Sequence, residues 1–189
     1  MKVDHQSGLL QGVNYCESPN CDDRPEDGEI EVLILHAISL PPGLYGGDDI
    51  SDFFCNRLNI SNHSYYQDIK DLKVSAHFLI DRSGTMTQYV PLHKRAWHAG
   101  VSQCLGRNQV NDFSIGIELE GDDETVFTEK QYTALIALTI ELIGSYPKLA
   151  IDKIFGHSDI ATGRKTDPGP KFDWTRYRQS CGDILDSRY

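Results

Sequence analysis

The chain lacks any apolar run of the length that a signal peptide or a membrane span requires. Its N-terminal stretch, MKVDHQSGLLQGVNYCESPNC, contains no apolar core, and no later run approaches the length of a membrane span. We therefore expect a protein without membrane contacts that is located in the cytoplasm.

Positive charge is also scarce. Lys and Arg number 18 against 28 Asp and Glu residues, which gives a formal net charge of -10. A nucleic-acid backbone requires a basic surface, so this balance argues against nucleic acid as a partner, and an anionic ligand would need a local basic patch. With 39% hydrophobic and 24% charged residues, the 189-residue chain has the composition of one folded, soluble domain.

Cysteine occurs without the spacing of a disulfide framework or of a zinc finger. The five cysteines form no C-x-x-C pair, and they are Cys16, Cys21, Cys55, Cys104 and Cys181. An odd count in a chain of this size favours reduced, structural thiols. One alternative stays open, because Cys16 and Cys21 are close enough in sequence to pair, or to bind a metal together with His5.

The hydrophobic pattern predicts an α+β domain built on one mixed β-sheet. The first 28 residues, rich in Asp, Pro, Asn and Ser, predict an irregular N-terminal arm, which leaves 29–189 as the main domain. The expected strands are 31–39, 74–81, 85–91, 113–121 and 153–157, of which 74–81 and 85–91 form a hairpin. The expected helices are 48–58, a helix that begins at a capping box of Thr128 and Gln131 and ends near Tyr146, and 172–187.

The strand FSIGIELEG, 113–121, predicts two faces of different character. Its alternation places Ile115, Ile117 and Leu119 on a core face and Glu118 and Glu120 on the opposite face. These carboxylates are either part of a solvated strand face or candidates for proton transfer.

The segment GHSDIATGRKTDPGP, 156–170, concentrates reactive side chains on one stretch of backbone. Its glycines and prolines predict a loop, yet it carries His157, Lys165 and Asp167. In an extended segment residues two apart face the same way, so Lys165 and Asp167 can point into one site. Pro168 disfavours helical angles at Asp167 and restrains it.

These residues suggest a catalytic zinc site together with His36, which lies near the end of the apolar strand 31–39. Two imidazoles and one carboxylate, from His36, His157 and Asp167, are a normal catalytic zinc set that leaves a fourth position for water. Glu118 is a suitable acceptor for the proton of that water, and Lys165 is suited to stabilise an oxyanion. No local H-E-x-x-H motif supports this interpretation.

Structural explanations exist for several of these side chains. His36 can be a hydrogen-bonded core histidine, and Lys165 and Arg164 can be ordinary surface charges. For His77 and His98 we expect structural or substrate-facing roles.

The chain resembles the zinc-dependent N-acetylmuramoyl-L-alanine amidases in five segments that occur in the same order: LILHAISLPPG, VSAHFLI, YVPLHKRAWHAGVS, NDFSIGIELEG and GHSDIATGRKTDPGPKFDW. The resemblance runs from about residue 14 to residue 178. Within the family it is strongest to cytoplasmic members that act on 1,6-anhydromuramyl peptides during cell-wall recycling.

The resemblance implies a site and a reaction. It matches His36, His157 and Asp167 to the zinc ligands, Glu118 rather than Glu120 to the catalytic glutamate, and Lys165 to the catalytic lysine. The implied reaction is hydrolysis of the amide between the lactyl group of muramic acid and the L-alanine of the stem peptide. Zinc activates water, Glu118 takes its proton, and zinc with Lys165 stabilises the developing negative charge.

The resemblance also implies the fold and the partners. A mixed sheet flanked by helices carries zinc in a groove on one face, as in peptidoglycan recognition proteins and phage amidases. Zinc is the expected cofactor, no organic cofactor is required, and a muropeptide is the expected partner of a monomeric enzyme.

Substrate contacts follow from the resemblance less directly. Tyr65, Lys73 and Trp97 match positions that line the family's groove. A stem peptide with several carboxylates would suit a basic patch, although the same cations can be scattered over the surface; they are Lys73, Lys94, Arg95 and Arg107.

Three positions depart from the pattern of the recycling enzymes. Ala37 stands where asparagine is common, Gln109 stands for an arginine, and Lys73 replaces an arginine and so loses bidentate carboxylate binding. These changes concern the preference between anhydro and ordinary muramyl ends.

Three other functions remain as hypotheses. The chain could cut polymeric peptidoglycan, it could bind peptidoglycan without cutting it, or its zinc could be purely structural. The third ligand, Asp167, together with Glu118 and Lys165 favours a catalytic site over the last two.

Overall fold

A computed structural model describes residues 1–26 and 28–187. Its twelve strands are β1 (Lys2–Asp4), β2 (Leu9–Gln11), β3 (Asn14–Tyr15), β4 (Cys21–Asp23), β5 (Val32–Ile38), β6 (Phe78–Ile80), β7 (Met86–Gln88), β8 (Lys94–Ala96), β9 (Gln103–Cys104), β10 (Arg107–Asn108), β11 (Ser114–Glu120) and β12 (Ile154–Gly156). Its five α-helices are α1 (Asp49–Phe54), α2 (Tyr66–Ile69), α3 (Glu129–Ser145), α4 (His157–Ile160) and α5 (Trp174–Asp186). Short 3-10 helices cover Val110–Phe113 and Ile151–Lys153.

Six strands form a mixed sheet in the order β12-β5-β11-β6-β7-β3. The first four run parallel, β7 returns antiparallel to β6, and β3 is parallel to β7. The predicted α+β class and the predicted hairpin are therefore confirmed, and the expected strands are present with shorter bounds. At the centre, β5 pairs with β11 so that His36 lies opposite Glu118, and β5 pairs with β12 on its other side.

One face of the sheet packs against α3 and α5. Ile115, Ile117 and Leu119 are buried in the same cluster as Tyr132 and Leu135 of α3. The predicted capping box is present, because Thr128 Oγ1 accepts from the backbone N–H of Gln131 and the Gln131 side chain accepts from that of Thr128. This cap fixes where α3 begins and so which of its faces meets the core.

The opposite face of the sheet carries polar side chains among two smaller apolar clusters. Val32 and Ile34 pack there against Phe113 and Ile160. Further along the same face, Leu79 joins a second cluster under α1 and α2. Because strand residues alternate, His36 and Glu118 share this face.

The solvated strand face that the sequence left open for Glu118 and Glu120 does not occur. Glu120 is 4% exposed, and its carboxylate accepts from the backbone N–H groups of Gly46 and Arg82. Glu118 Oε2 has no exposed surface. Glu120 is covered by the loops that contain Gly46 and Arg82, whereas Glu118 is half-buried, with one carboxylate oxygen shielded from solvent.

The prediction of an irregular arm over the first 28 residues is wrong in its local structure. The segment contains β1 to β4, and β3 extends the main sheet while β4 pairs with β8. Val3 and Leu10 are buried in the main core, and the buried Gln88 side chain accepts from Leu10 N and donates to Gly8 O. Turn-forming residues separate strands here that are too short to show a hydrophobic period.

The five cysteines are free thiols, as expected. Cys16 lies nearest to Cys55, with 3.5 Å between the two Sγ atoms, and Cys21 donates instead to Ser18 O. No helix within the described ranges is long and apolar enough to span a membrane.

The packing of the N-terminal strands gives a testable prediction for stability. Leu10 is 3% exposed, so Leu10→Ala should lower the free energy of unfolding by about 2–5 kcal/mol in chemical denaturation. Leu44→Ala is the matched control, since Leu44 is 58% exposed and its truncation leaves no cavity. Equal, small effects of both substitutions would show that the segment contributes nothing to the core.

Candidate active site

An open groove of about 640 Å³ lies at the carboxyl ends of the parallel strands. β5 contributes His36, β11 contributes Glu118, and His157 follows directly after β12. Ligand sites of parallel sheets form at this edge because loops diverge there from adjacent strands. The groove also receives Lys165 and Asp167 from the segment that follows α4.

Three of the groove's side chains converge to a triangle. His36 Nδ1 lies 3.0 Å from His157 Nδ1, and each of these nitrogens lies 3.1 Å from Asp167 Oδ2. A backbone hydrogen bond from Ser158 N to Asp167 O holds Asp167 beside the start of α4. The structure therefore brings together residues that are far apart in sequence.

The protonation states of the three residues leave lone pairs on the atoms that face the centre of the triangle. His157 Nε2 lies 3.2 Å from the carbonyl oxygen of Ala99, which can only accept, so the proton is on Nε2 and the Nδ1 lone pair faces the triangle. Burial lowers the pKa of His36 and keeps its ring neutral. Burial acts to raise the pKa of Asp167, but the contacts with His157 and His36 outweigh it and hold that pKa well below its usual range.

This arrangement fits a zinc ion. The donors are two neutral imidazoles and a carboxylate, and their separations are close to the value of about 3.3 Å that tetrahedral geometry gives at usual zinc–ligand distances. Among the residues that the structure describes, this is the one such group of three or more potential ligands. The alternative site of His5, Cys16 and Cys21 does not form, since His5 packs edge-on against Tyr146.

Glu118 has an unusual environment for a carboxylate. Its Oε2 has no exposed surface and no hydrogen-bond partner among the described residues. Burial and, secondarily, the charge of Asp167 raise the pKa of Glu118 well above its usual value, while Lys165 acts in the opposite direction. An unpartnered buried carboxylate is costly, and such groups cluster at functional sites, which makes Glu118 a candidate for one.

Lys165 lines the same groove but is exposed. Its charge is close enough to lower the pKa values of His36 and Glu118. The segment predicted as a loop is helical at its start, because Asp159 caps α4 by accepting from Gly156 N at 2.8 Å. After α4 the chain turns back toward the groove, so Lys165 and Asp167 face one site as expected.

The three predicted substrate contacts have different surroundings. Tyr65 lines the groove. Lys73 is absent from the described lining residues and donates to Asn56 Oδ1 at 3.1 Å, although its neighbours Leu72 and Val74 both border the groove.

Trp97 is likewise absent from the described groove lining. Its indole N–H donates to Asp22 Oδ1 at 3.1 Å, and its backbone pairs with Ser75, which does border the groove. A direct substrate role for Lys73 and for Trp97 stays a prediction.

A continuous basic patch is not present over the described residues. Lys94 pairs with Asp23, Arg95 pairs with Asp22 and Asp112, and Arg107 pairs with Glu31. The alternative of scattered, locally neutralised cations therefore describes these three residues better. The groove's own cations are Arg164 and Lys165.

The remaining histidines separate into two kinds. His77 is a satisfied core residue, since its Nδ1 accepts from Gly116 N and its Nε2 lies 3.2 Å from Lys94 O. His98 instead contacts His36, with 2.9 Å between His98 Nδ1 and His36 Nε2. The sequence signal that could have singled out His98 is Gly116, a glycine in the middle of a buried strand where a larger residue would fill the space that the His98 ring occupies.

Comparison with known proteins shows which sequences this chain resembles. The family model described as N-acetylmuramoyl-L-alanine amidase matches residues 26–170. The chain is 49% identical to the 1,6-anhydro-N-acetylmuramyl-L-alanine amidase AmpD of Haemophilus influenzae, over 94% of this chain and 96% of that protein.

Solved structures give the same result. A crystal structure of an Se-Met AmpD derivative matches with a TM-score of 0.91 and 49% identity, over 95% of this chain and 99% of that one. AMPDH3 from Pseudomonas aeruginosa, in complex with anhydromuramic pentapeptide, matches with a TM-score of 0.59 and 28% identity, over 85% of this chain and 65% of that one.

The buried Glu118 gives a prediction for stability against pH. Its pKa is higher in the fold than in the unfolded chain. As pH rises above the ordinary glutamate pKa of 4.5, the unfolded chain loses the proton while the fold retains it, so the wild-type protein loses stability until pH reaches the raised pKa. Glu118→Gln cannot ionise. In metal-free protein, its free energy of unfolding should therefore match that of wild type near pH 4 and exceed it increasingly toward pH 8.

Chemical denaturation at several pH values, with chelator present, measures this difference. Glu124→Gln is the matched control, because Glu124 is an exposed carboxylate on the same groove. A Glu118→Gln protein that is less stable than wild type at pH 8 would show that the ionised carboxylate is stabilised where it lies.

Proposed function

This chain belongs to the N-acetylmuramoyl-L-alanine amidase family, and from that membership we propose which residues and which metal carry its reaction. The chain is an amidase of 1,6-anhydromuramyl peptides in peptidoglycan recycling. It cleaves the amide between the lactyl carbonyl and the L-alanine nitrogen, so that one water yields a carboxylate and a free amine.

The metal of the proposal is zinc, held by His36, His157 and Asp167. The observation that carries it is the triangle of their donor atoms, 3.0–3.1 Å on a side, in the groove that also contains the unpartnered Glu118 carboxylate. When bound there, zinc supplies Lewis acidity that polarises the carbonyl and lowers the pKa of water. Two neutral imidazoles and one carboxylate leave net positive charge for this purpose.

Glu118 moves the protons in this proposal. Its carboxylate accepts a proton from the attacking water and then delivers it to the departing alanine nitrogen. A raised pKa suits both halves of this task, because the group must hold the proton between the two steps.

Lys165 stabilises charge in this proposal. Its ammonium group lies at the groove, where it can donate to the oxygen that becomes negative as the carbonyl is attacked. Because Lys165 is exposed and its ammonium group makes no hydrogen bond with the described residues, that group is free to reorient when substrate enters.

The remaining parts of the proposal concern surroundings. Tyr65 lines the groove and offers a ring and a hydroxyl group to the muropeptide, with Lys73 and Trp97 in supporting positions beside groove-lining residues. We propose residues 29–189 as the catalytic unit, with the N-terminal strands packed onto it. A monomer in the cytoplasm completes the proposal.

Two substitutions separate metal binding from proton transfer. Asp167→Ala should lose both zinc and activity, because two imidazoles alone do not retain the ion. Glu118→Ala should retain zinc, since Glu118 is not a ligand, and should lose about 10²–10⁴-fold in turnover. Zinc content by atomic absorption and peptide release from anhydromuramyl tripeptide measure the two properties.

The same assay tests the substrate when non-anhydro muramyl tripeptide and intact sacculi are run in parallel. Peptide release chiefly from the anhydro substrate supports a recycling role. Release chiefly from sacculi would instead favour an enzyme of the polymeric wall, and full activity of the Glu118→Ala protein would remove Glu118 from the mechanism.

A further inference from the structure

The Nε2 atoms of His36 and His157 are the outer nitrogens of these rings, since they face away from the triangle. Both contact one dipeptide, His98–Ala99. His36 Nε2 lies 2.9 Å from His98 Nδ1, and His157 Nε2 lies 3.2 Å from Ala99 O. His36 lies in β5 and His157 is the first residue of α4, so a shared outer partner couples the orientations of side chains from two different elements. Histidine ligands depend on such contacts, which fix the tautomer and the plane of the ring.

This dipeptide is held firmly in place. Asn111 Oδ1 accepts from the backbone N–H groups of both residues, at 3.2 Å for His98 and 2.8 Å for Ala99. Arg164 donates to Ala99 O at 2.9 Å as well. The backbone that presents both outer contacts is therefore fixed before any metal binds.

The His98 ring is also fixed on its far side. Its Nε2 lies 3.1 Å from the hydroxyl oxygen of the buried Ser114. The ring packs flat against Gly116, where an added Cβ would lie 2.4 Å from His98 Cγ. A glycine at the centre of β11 makes the space for this ring.

The hydrogen-bond directions form one consistent chain. For the Nδ1 lone pair of His36 to face the metal, the proton must be on Nε2, which then donates to His98 Nδ1. His98 in turn carries its proton on Nε2 and donates to Ser114. The neighbouring His77 does not take part, because other groups occupy both of its nitrogens: Nδ1 accepts from Gly116 N, and Nε2 lies 3.2 Å from Lys94 O and 3.1 Å from Arg24 Nη2.

We propose that His98–Ala99, anchored by Asn111, presets both zinc-binding histidines, with His98 as a positioning residue that keeps His36 in the tautomer that binds metal. This inference rests on the proposed zinc site and adds residues outside its ligand set. It also explains Gly116, which the hydrophobic pattern of β11 does not require.

The test measures zinc affinity, with a matched pair of variants. His98→Leu removes the acceptor and approximates the volume, whereas His98→Asn places an amide oxygen near the position of Nδ1 and so retains it. His63→Asn is the control, because His63 is an exposed residue in the segment that precedes α2. Competition with a chromogenic chelator gives the zinc dissociation constant, and the visible spectrum of the cobalt-substituted protein reports on ligand geometry.

We expect His98→Leu to bind zinc about 10–100-fold more weakly, with an altered cobalt spectrum. His98→Asn should recover most of the affinity, and His63→Asn should match wild type. Ser114→Ala removes only the partner of His98 Nε2, so it should weaken zinc binding less than His98→Leu does. If the leucine variant does not fold, the weaker zinc binding of Ser114→Ala tests the proposal instead.

Several results would overturn the proposal. One is an unchanged zinc affinity in both His98→Leu and Ser114→Ala. Another is a His98→Asn protein that binds zinc as weakly as His98→Leu does, which would mean that the ring only fills space. A raised KM with normal zinc affinity would make His98 a substrate contact. If wild type bound zinc no better than His36→Ala, the zinc site itself would fail, an outcome distinct from these.

Discussion

The parallel pairing of β5 with β11 and β12 is the constraint on which the site depends. This register sets His36 opposite Glu118 and brings His157 to the adjacent strand end. A slip of one residue would turn His36 toward α3 and into the apolar core. The core packing that opposes such a slip, Ile115, Ile117 and Leu119 against α3, therefore also aligns the reactive groups.

The site concentrates groups whose burial is unfavourable. Burial lowers the pKa of His36 and raises that of Glu118, which means that both charged forms are disfavoured where they lie. Only Asp167 is held in its charged form, by its contacts with the two histidines. A cation at the triangle would relieve this imbalance, so metal binding and stability are expected to be coupled.

Much of the fold could be predicted because the central strands and α3 have strong local signals. The apolar run of β5, the alternation of β11 and the capping box at Thr128 each identify an element on its own. The N-terminal strands were missed, since segments of two or three residues carry no measurable period and owe their pairing to tertiary contacts. The short α4 was missed because glycines flank it.

The site could be predicted only in part. Chemistry suggested His36, His157 and Asp167, but the pattern of the family was needed to choose them over structural explanations. Arg95 and Arg107 were predicted as part of an anion-binding patch, and their carboxylate partners come from remote segments that no sequence period connects to them. His98 was assigned no link to His36, because a contact between a loop and a strand leaves no trace in spacing.

The most direct test of the central claim is X-ray absorption at the zinc edge of the zinc-loaded protein. We predict a first shell of nitrogen and oxygen at about 2.0–2.1 Å, with outer-shell scattering from two imidazoles. Sulfur scattering at about 2.3 Å, or the signal of a single imidazole, would contradict a site built from His36, His157 and Asp167.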